Sequence, residues 1–112
     1  MPPGQLSALA VLVFGGERTI AELAAAEQVT SPTMTRIVDG LERAGLATRR
    51  PHPDDRRAIV VRATSKGRRV MERGRRNRVR LITSLLQGMS TEDLAAVQHA
   101  TSALAQALEA GR

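Results

Sequence analysis

Apolar positions first gather at residues 6–14, LSALAVLVF, an almost unbroken run that ends at Gly15-Gly16. A run of that length with a glycine stop predicts a buried helix. Glu17-Arg18 follows as a short extended piece. Thr19 then stands before IAELAAAEQ with Glu22 three residues on, the pattern of a capping box, and Ile20, Leu23 and Ala24 share one face of the helix it starts. After Val29 the chain reads TSPTMTRIVDGLERAGL. Thr30 or Ser31 caps this helix, and Pro32 is tolerated in its first turn, where an N–H would be unpaired in any case. Met34, Ile37, Val38 and Leu41 recur at helical spacing and face inward. Gly40 in mid-helix costs about 1 kcal/mol relative to Ala. Gly45 ends the helix and Leu46 folds back, a Schellman-like stop.

The pattern then changes period. LATRR and AIVVRA read as two short strands joined by PHPDDR, a turn-forming segment rich in Pro and Asp, which predicts a β-hairpin with a charged tip. Thr64 or Ser65 starts a long helix from about Lys66 to Gln87, and Gly88 and Ser90 break and recap the chain before a last helix, Thr91 to Ala110. In that helix Leu94, Val97, Thr101, Leu104 and Leu108 form a narrow 3-4-3-4 seam suited to meeting another helix. The fold class is therefore mainly α with a small β-hairpin wing. Two helices joined by a tight turn, with a hairpin after the second, make a winged helix-turn-helix. Residues 1–64 form the DNA-binding region and residues 65–112 the C-terminal helices, together one compact domain. Ile82, Leu85 and Leu86 of the long helix and the Leu94–Leu108 seam are the expected dimerisation residues.

Charge sharpens the picture. The net charge is +6, but residues 31–80 hold fifteen Lys/Arg against five Asp/Glu, while both ends are slightly acidic. A basic middle implies a polyanionic partner, and double-stranded DNA fits the motif. All but one of the seventeen cations are Arg, the side chain that forks to phosphate and guanine. A core of Ala, Leu and Val with a single Phe and no Trp or Tyr suits packed helices. The absence of Cys removes disulfides, thiolate zinc and thiol redox chemistry. No nucleophile–base set, Gly-rich phosphate loop or metal-ligand cluster is present, so neither an enzyme nor a cofactor or metal is expected. No apolar run approaches the ~20 residues of a membrane span, and the start lacks a signal-peptide pattern, so a cytoplasmic protein is expected.

The candidate interface follows from the helical spacing. With Met34, Ile37, Val38 and Leu41 inward, the second helix of the motif offers Ser31, Pro32, Thr33, Thr35, Arg36 and Arg43 to a groove, with Arg36 able to fork to guanine. Asp39 and Glu42 lie where they brace Arg36, Arg43 or the wing. On the wing, Arg56 or Arg57 is the minor-groove or phosphate contact, His52 a further phosphate candidate, Asp55 a brace for the Arg57 guanidinium, and Asp54 a cap for the turn. The arginines of RRVMERGRRNRVR read as a solvated helix face, and Met34 and Met71 as core fillers.

The segment ELAAAEQVTSPTMTRIVDGLERAGLATRRPHPDDRRAIVVRATSKG resembles the helix-turn-helix and wing of the multiple antibiotic resistance regulator (MarR) family. The D-R-R-A signature falls on Asp55-Arg56-Arg57-Ala58, and the T-x-x-G start of the long helix on Thr64-Ser65-Lys66-Gly67. The resemblance implies a homodimeric repressor on a pseudo-palindromic operator, released by a small aromatic effector. It implies Arg36 as the recognition-helix arginine and Arg57 as the minor-groove arginine with Asp55 as its partner. The family has a further helix ahead of the segment where this chain begins, so a weaker dimer and a poorly formed effector pocket are expected. Gln28 stands where the family commonly has Gly. The competing reading is an architectural, sequence-blind DNA-binding protein.

Overall fold

A computed structural model describes residues Met1–Gly111. The elements are α1 (Pro3–Gly15), β1 (Arg18–Thr19), α2 (Ile20–Glu27), α3 (Ser31–Arg43), β2 (Ala47–Pro51), β3 (Ile59–Ala63), α4 (Ser65–Gln87) and α5 (Thr91–Ala110). They match the winged helix-turn-helix expectation, with two differences. α1 begins at Pro3 instead of residue 6, because a proline at the first helical position has no N–H to leave unpaired. The extended piece after Gly16 is a true strand: Arg18 and Thr19 pair antiparallel with Val61 and Val60, so the sheet has three strands in the order β1-β3-β2. β2 pairs with β3 from Ala47↔Ala63 to Pro51↔Ile59, and Pro51 is tolerated because β2 is an edge strand.

Local chemistry sets each boundary. Thr19 and Glu22 form the complete capping box, with N–H···O distances of 3.1 and 3.0 Å. The exchange of hydrogen bonds with Thr19 holds the Glu22 carboxyl below its ordinary range. α2 ends at Gln28, which adopts the left-handed conformation (φ 57°, ψ 43°) so that the Val29 N–H can return to Ala24 O at 3.0 Å. Thr30 caps α3 through the Thr33 N–H. Gly45 (φ 74°) closes α3 in a Schellman motif: Leu46 N–H donates to Leu41 O at 2.9 Å and Gly45 N–H to Glu42 O at 3.0 Å.

The chain divides into two compact units, Met1–Arg75 and from Arg76 onward, so the first turns of α4 belong with the first unit. That unit holds the core: Leu9, Leu12, Leu23, Met34, Val38, Leu41, Leu46, Val61 and Met71 are all buried. Gly40 lies under the Gln5 side chain of α1, which occupies the space a Cβ would need. In α4, Gly67 approaches the Leu46 carbonyl so closely that a Cβ would collide with it. The second unit, from Arg76, contains the rest of α4 and all of α5. Ser90 caps α5 by accepting the Asp93 N–H at 3.1 Å. None of its described residues is buried, and Leu85, Leu104 and Leu108 are 60%, 61% and 63% exposed. No helix among the described residues is long and apolar enough to cross a membrane.

These two backbone positions respond oppositely to substitution. Gln28→Gly relieves a left-handed non-glycine residue and is expected to raise stability by about 1 kcal/mol. Gly67→Ala forces a Cβ against backbone and is expected to lower it by about 1–3 kcal/mol. Denaturant titration of both variants measures the two changes, and a neutral Gly67→Ala would show that α4 has room to shift at this crossing.

Candidate nucleic-acid interface

α3 is strongly one-sided. Met34, Val38 and Leu41 are buried, and Ile37 packs against the same core. That packing turns Ser31, Pro32, Arg36 and Arg43 to solvent and leaves Thr33 and Thr35 half-buried. The hydroxyls are already engaged. Thr35 Oγ1 donates to Ser31 O at 3.0 Å, and Thr33 Oγ1 accepts from Thr30 Oγ1 at 3.0 Å. Each retains a lone pair or a methyl for a groove, while Ser31 has no recorded side-chain partner among the described residues.

The arginines divide into two sets. Arg49, on β2, places Nη1 2.8 Å from Asp39 and Nη2 3.1 Å from Glu42, and its backbone N–H also donates to Glu42 at 3.2 Å. The Glu42 hydrogen bond, more than any other contact, pushes the Arg49 guanidinium further up its already high range. Asp39 and Glu42 are one α3 turn apart, so a single guanidinium ties the recognition helix to the wing. Arg50 reaches Glu17 at 3.1 Å, spanning the central strand from one edge of the sheet to the other. Arg18 turns inward on the backbone, donating to Gly15 O at 2.7 Å. Arg36, Arg43, Arg56 and Arg57 make no ion pair among the described residues, and all four are exposed.

The wing tip differs from expectation. Asp55 Oδ1 accepts the Arg57 backbone N–H at 3.0 Å, so Asp55 braces the turn through the main chain and not through the guanidinium. An aspartate reaches the N–H two residues ahead with little loss of freedom, whereas pairing with a long exposed guanidinium costs side-chain entropy. Asp54 does not cap the turn. His52 does, with Nδ1 accepting the N–H groups of Asp54 at 3.0 Å and Asp55 at 3.2 Å. Residue spacing shows no such role for a histidine, because Asp and Asn are the usual side chains for it.

α3 and the wing share a groove of about 420 Å³ lined by Thr19, Ser31, Thr35, Asp55, Arg57 and Ile59, among others. It brings Ser31 and Thr35 of α3 and the wing arginine Arg57 to the lining of one hollow. Among the expected contacts, Arg43 lies at the far end of α3, and His52 faces a separate hollow with Glu17, Arg18 and Glu22. Asp39, Glu42 and Arg49 were not all legible as a set: the acidic pair was, but its partner lies on a strand whose register the sequence leaves open. No cluster of metal-ligating side chains occurs among the described residues.

Comparison with known proteins agrees with this geometry. A family model described as the MarR family matches residues 1–58, just over half of the chain. An uncharacterized HTH-type transcriptional regulator of Mycobacterium leprae is 34% identical over 88 residues, covering 79% of this chain and 62% of that protein. The HTH-type transcriptional repressor YetL of Bacillus subtilis is 33% identical over 72 residues, covering 64% and 43%. The chain thus spans between two fifths and just over three fifths of these curated relatives. Among solved structures, Streptococcus pneumoniae FabT in complex with DNA superposes with a TM-score of 0.80 at 25% identity, covering 100% of this chain and 78% of FabT. A MarR family protein from Bacillus stearothermophilus gives 0.81 at 28% identity, covering 97% and 76%.

The Arg49 clamp is partly exposed, with side chains 31–40% accessible, so solvent screening limits its worth. A double-mutant cycle of Arg49→Ala with Asp39→Ala, read by denaturant unfolding, is expected to give a coupling of about 0.2–1 kcal/mol. Additive losses would mean that the Arg49–Asp39 pair adds nothing to the hold of helix on wing.

Proposed function

We propose that this chain, which belongs to the MarR family of transcriptional regulators, binds double-stranded DNA sequence-specifically, with α3 in the major groove and the wing on the adjacent minor groove. One observation carries the reading. Asp39, Glu42 and Glu17 take Arg49 and Arg50, while Arg36, on the exposed face of α3, and Arg56 and Arg57, on the wing tip, make no ion pair among the described residues. Unpaired guanidinium groups on a rigid frame are suited to phosphates and base edges. That FabT, of similar fold, is seen in complex with DNA supports DNA as the partner.

Within this reading Ser31, Pro32, Thr33, Thr35 and Arg36 face bases and nearby phosphates, Arg43 faces the backbone, and Arg56 and Arg57 address the minor groove. The second unit supplies the dimer. Leu94, Val97, Thr101, Leu104 and Leu108 of α5 and Ile82 and Leu85 of α4 are exposed, and Leu86 is half-buried, so one chain by itself leaves most of these apolar side chains in water. Thr101 costs little in such a seam because its hydroxyl donates to Val97 O at 2.7 Å. Each large aliphatic side chain buried against a second copy contributes about 1.5–3 kcal/mol. A twofold dimer would read a pseudo-palindromic operator, and repression released by a small aromatic effector is the regulation we assign to it, in the cytoplasm and without a cofactor.

If a dimer neutralises roughly six to ten phosphates, affinity is expected to fall by about 10³–10⁵ between 50 and 200 mM salt. On a randomised site library, Arg36→Ala is expected to cost about 1–3 kcal/mol and to relax preference at one position of each half-site. Arg57→Ala is expected to weaken most sites and flatten any preference for A·T-rich flanks. A flat salt response, or a library that enriches nothing, would leave an architectural protein or a protein-binding module in its place.

Leu104→Arg tests the dimer. Sedimentation is expected to show monomers, because a guanidinium cannot be buried at the seam without a partner. A full dimer in that variant would place the interface elsewhere.

A further inference from the structure

The tip of the wing is shaped by a histidine. His52 N–H donates to Ala58 O at 3.0 Å and closes the hairpin beyond the last strand pair, Pro51 and Ile59. Its ring Nδ1 then accepts two backbone N–H groups, from Asp54 at 3.0 Å and Asp55 at 3.2 Å. Two donors converging on one ring nitrogen require a lone pair there, which means a neutral imidazole with its proton on Nε2. Asp55 passes the order on: Oδ1 accepts the Arg57 N–H at 3.0 Å, and its carbonyl accepts the Ala58 N–H at 3.1 Å. The imidazole therefore sets the backbone on which Arg56 and Arg57 are carried.

We propose that His52 is the positioning residue of the wing, that its neutral ring holds the tip in the shape that presents Arg57, and that protonation of Nδ1 releases the tip and weakens the grip on DNA. This rests on the DNA-binding reading above. A proton on Nδ1 would point an N–H at two other N–H groups, so the cap is present while the ring is neutral and is lost as the pH falls through the ring's titration. The charged groups around it do not reverse this. Glu17, Arg18 and Glu22 line the hollow beside His52, with Val60 as its floor, and Asp54 and Asp55 flank it on its own loop. Glu17 is already paired with Arg50. None of these carboxylates supplies the acceptor that the two N–H groups would lose. A histidine that contacts phosphate directly would behave in the opposite way, because its cation would bind more tightly as pH falls.

The test compares the full chain with His52→Asn and His52→Ala, on a labelled A·T-rich duplex at constant low salt, at pH about 8 and about 5.5, either side of the usual histidine range. An asparagine oxygen accepts the same N–H groups and does not titrate. Affinity of the unaltered chain is expected to fall about three- to tenfold on acidification, as suits the loss of one or two net hydrogen bonds. His52→Asn is expected to hold its affinity at both values, and His52→Ala to be weak at both. In the DNA-free protein, the amide resonances of Asp54 and Asp55 are expected to move with the His52 ring and to stay fixed in His52→Asn. Tighter binding on acidification would make His52 a phosphate contact, and an equal fall in His52→Asn would assign the effect to other groups. Asp54 and Asp55 amides indifferent to the ring would overturn the proposal whatever the DNA result. Absence of binding by every variant at both values would instead overturn the DNA-binding reading, with the amide resonances still deciding whether His52 folds the tip.

Discussion

The carbonyl of Leu46 is the point through which the first unit is organised. The recognition helix ends there, the first wing strand begins one residue on, and the long helix starts against it. Thr64 N–H donates to Leu46 O at 3.0 Å, and Thr64 Oγ1 donates to Gly45 O at 2.6 Å while accepting the Gly67 N–H at 3.1 Å. Lys66 Nζ donates to Ala44 O at 2.9 Å. Four residues, Thr64 to Gly67, thus satisfy the carbonyls of Ala44, Gly45 and Leu46 in the reversal that follows α3. The crossing is so close that only glycine fits at residue 67, and the sharp reversal before it uses Gly45 at φ 74°. Helix, wing and long helix leave this crossing in fixed directions, which is what a DNA-reading unit needs if its two contact elements are to match two grooves at once.

Charge is arranged on that frame by subtraction. The middle of the chain has a large excess of Arg, yet its contribution to an interface depends on which guanidinium groups remain free. Asp39 and Glu42 bind Arg49, and Glu17 binds Arg50, so two arginines serve the frame. Arg75 lies over the Phe14 ring at 5.4 Å and is likewise spent within the first unit. The arginines left over at the groove are those on the face of α3 and at the tip of the wing. The two aspartates of the wing form no ion pair with their arginine neighbours among the described residues; the Asp55 side chain, with His52, orders the backbone that carries them.

Much of this was legible in the chain, and the limit has a physical cause. The Thr19–Glu22 capping box, the Thr30 cap, the Gly45 stop and the inward face of α3 depend on residues three or four apart, and local spacing shows them. The pairing of β1 with β3 joins residues some forty apart, and two residues of strand carry no periodicity to betray it. Arg49 was one of several equivalent arginines until the β2–β3 register placed it opposite Val61 and within reach of α3. Spacing points Asp55 to the guanidinium instead of the Arg57 N–H and His52 to phosphate instead of the turn, because a side chain that folds its own loop and one that touches a ligand have the same sequence signature. Gly67 belonged to a recognised motif, but its reason, the Leu46 carbonyl beneath it, is visible only in three dimensions.

In the proposed function, α3 and the wing engage two adjacent grooves of one half-site as a rigid pair. Methylation protection on a site recovered from a randomised library reads both grooves together, because dimethyl sulfate marks guanine N7 in the major groove and adenine N3 in the minor groove. Protected guanines flanked by protected adenines are expected within each half-site, with Arg57→Ala losing the adenine protection and keeping that of guanine. Protection confined to one groove, or adenine protection that survives Arg57→Ala, would contradict it.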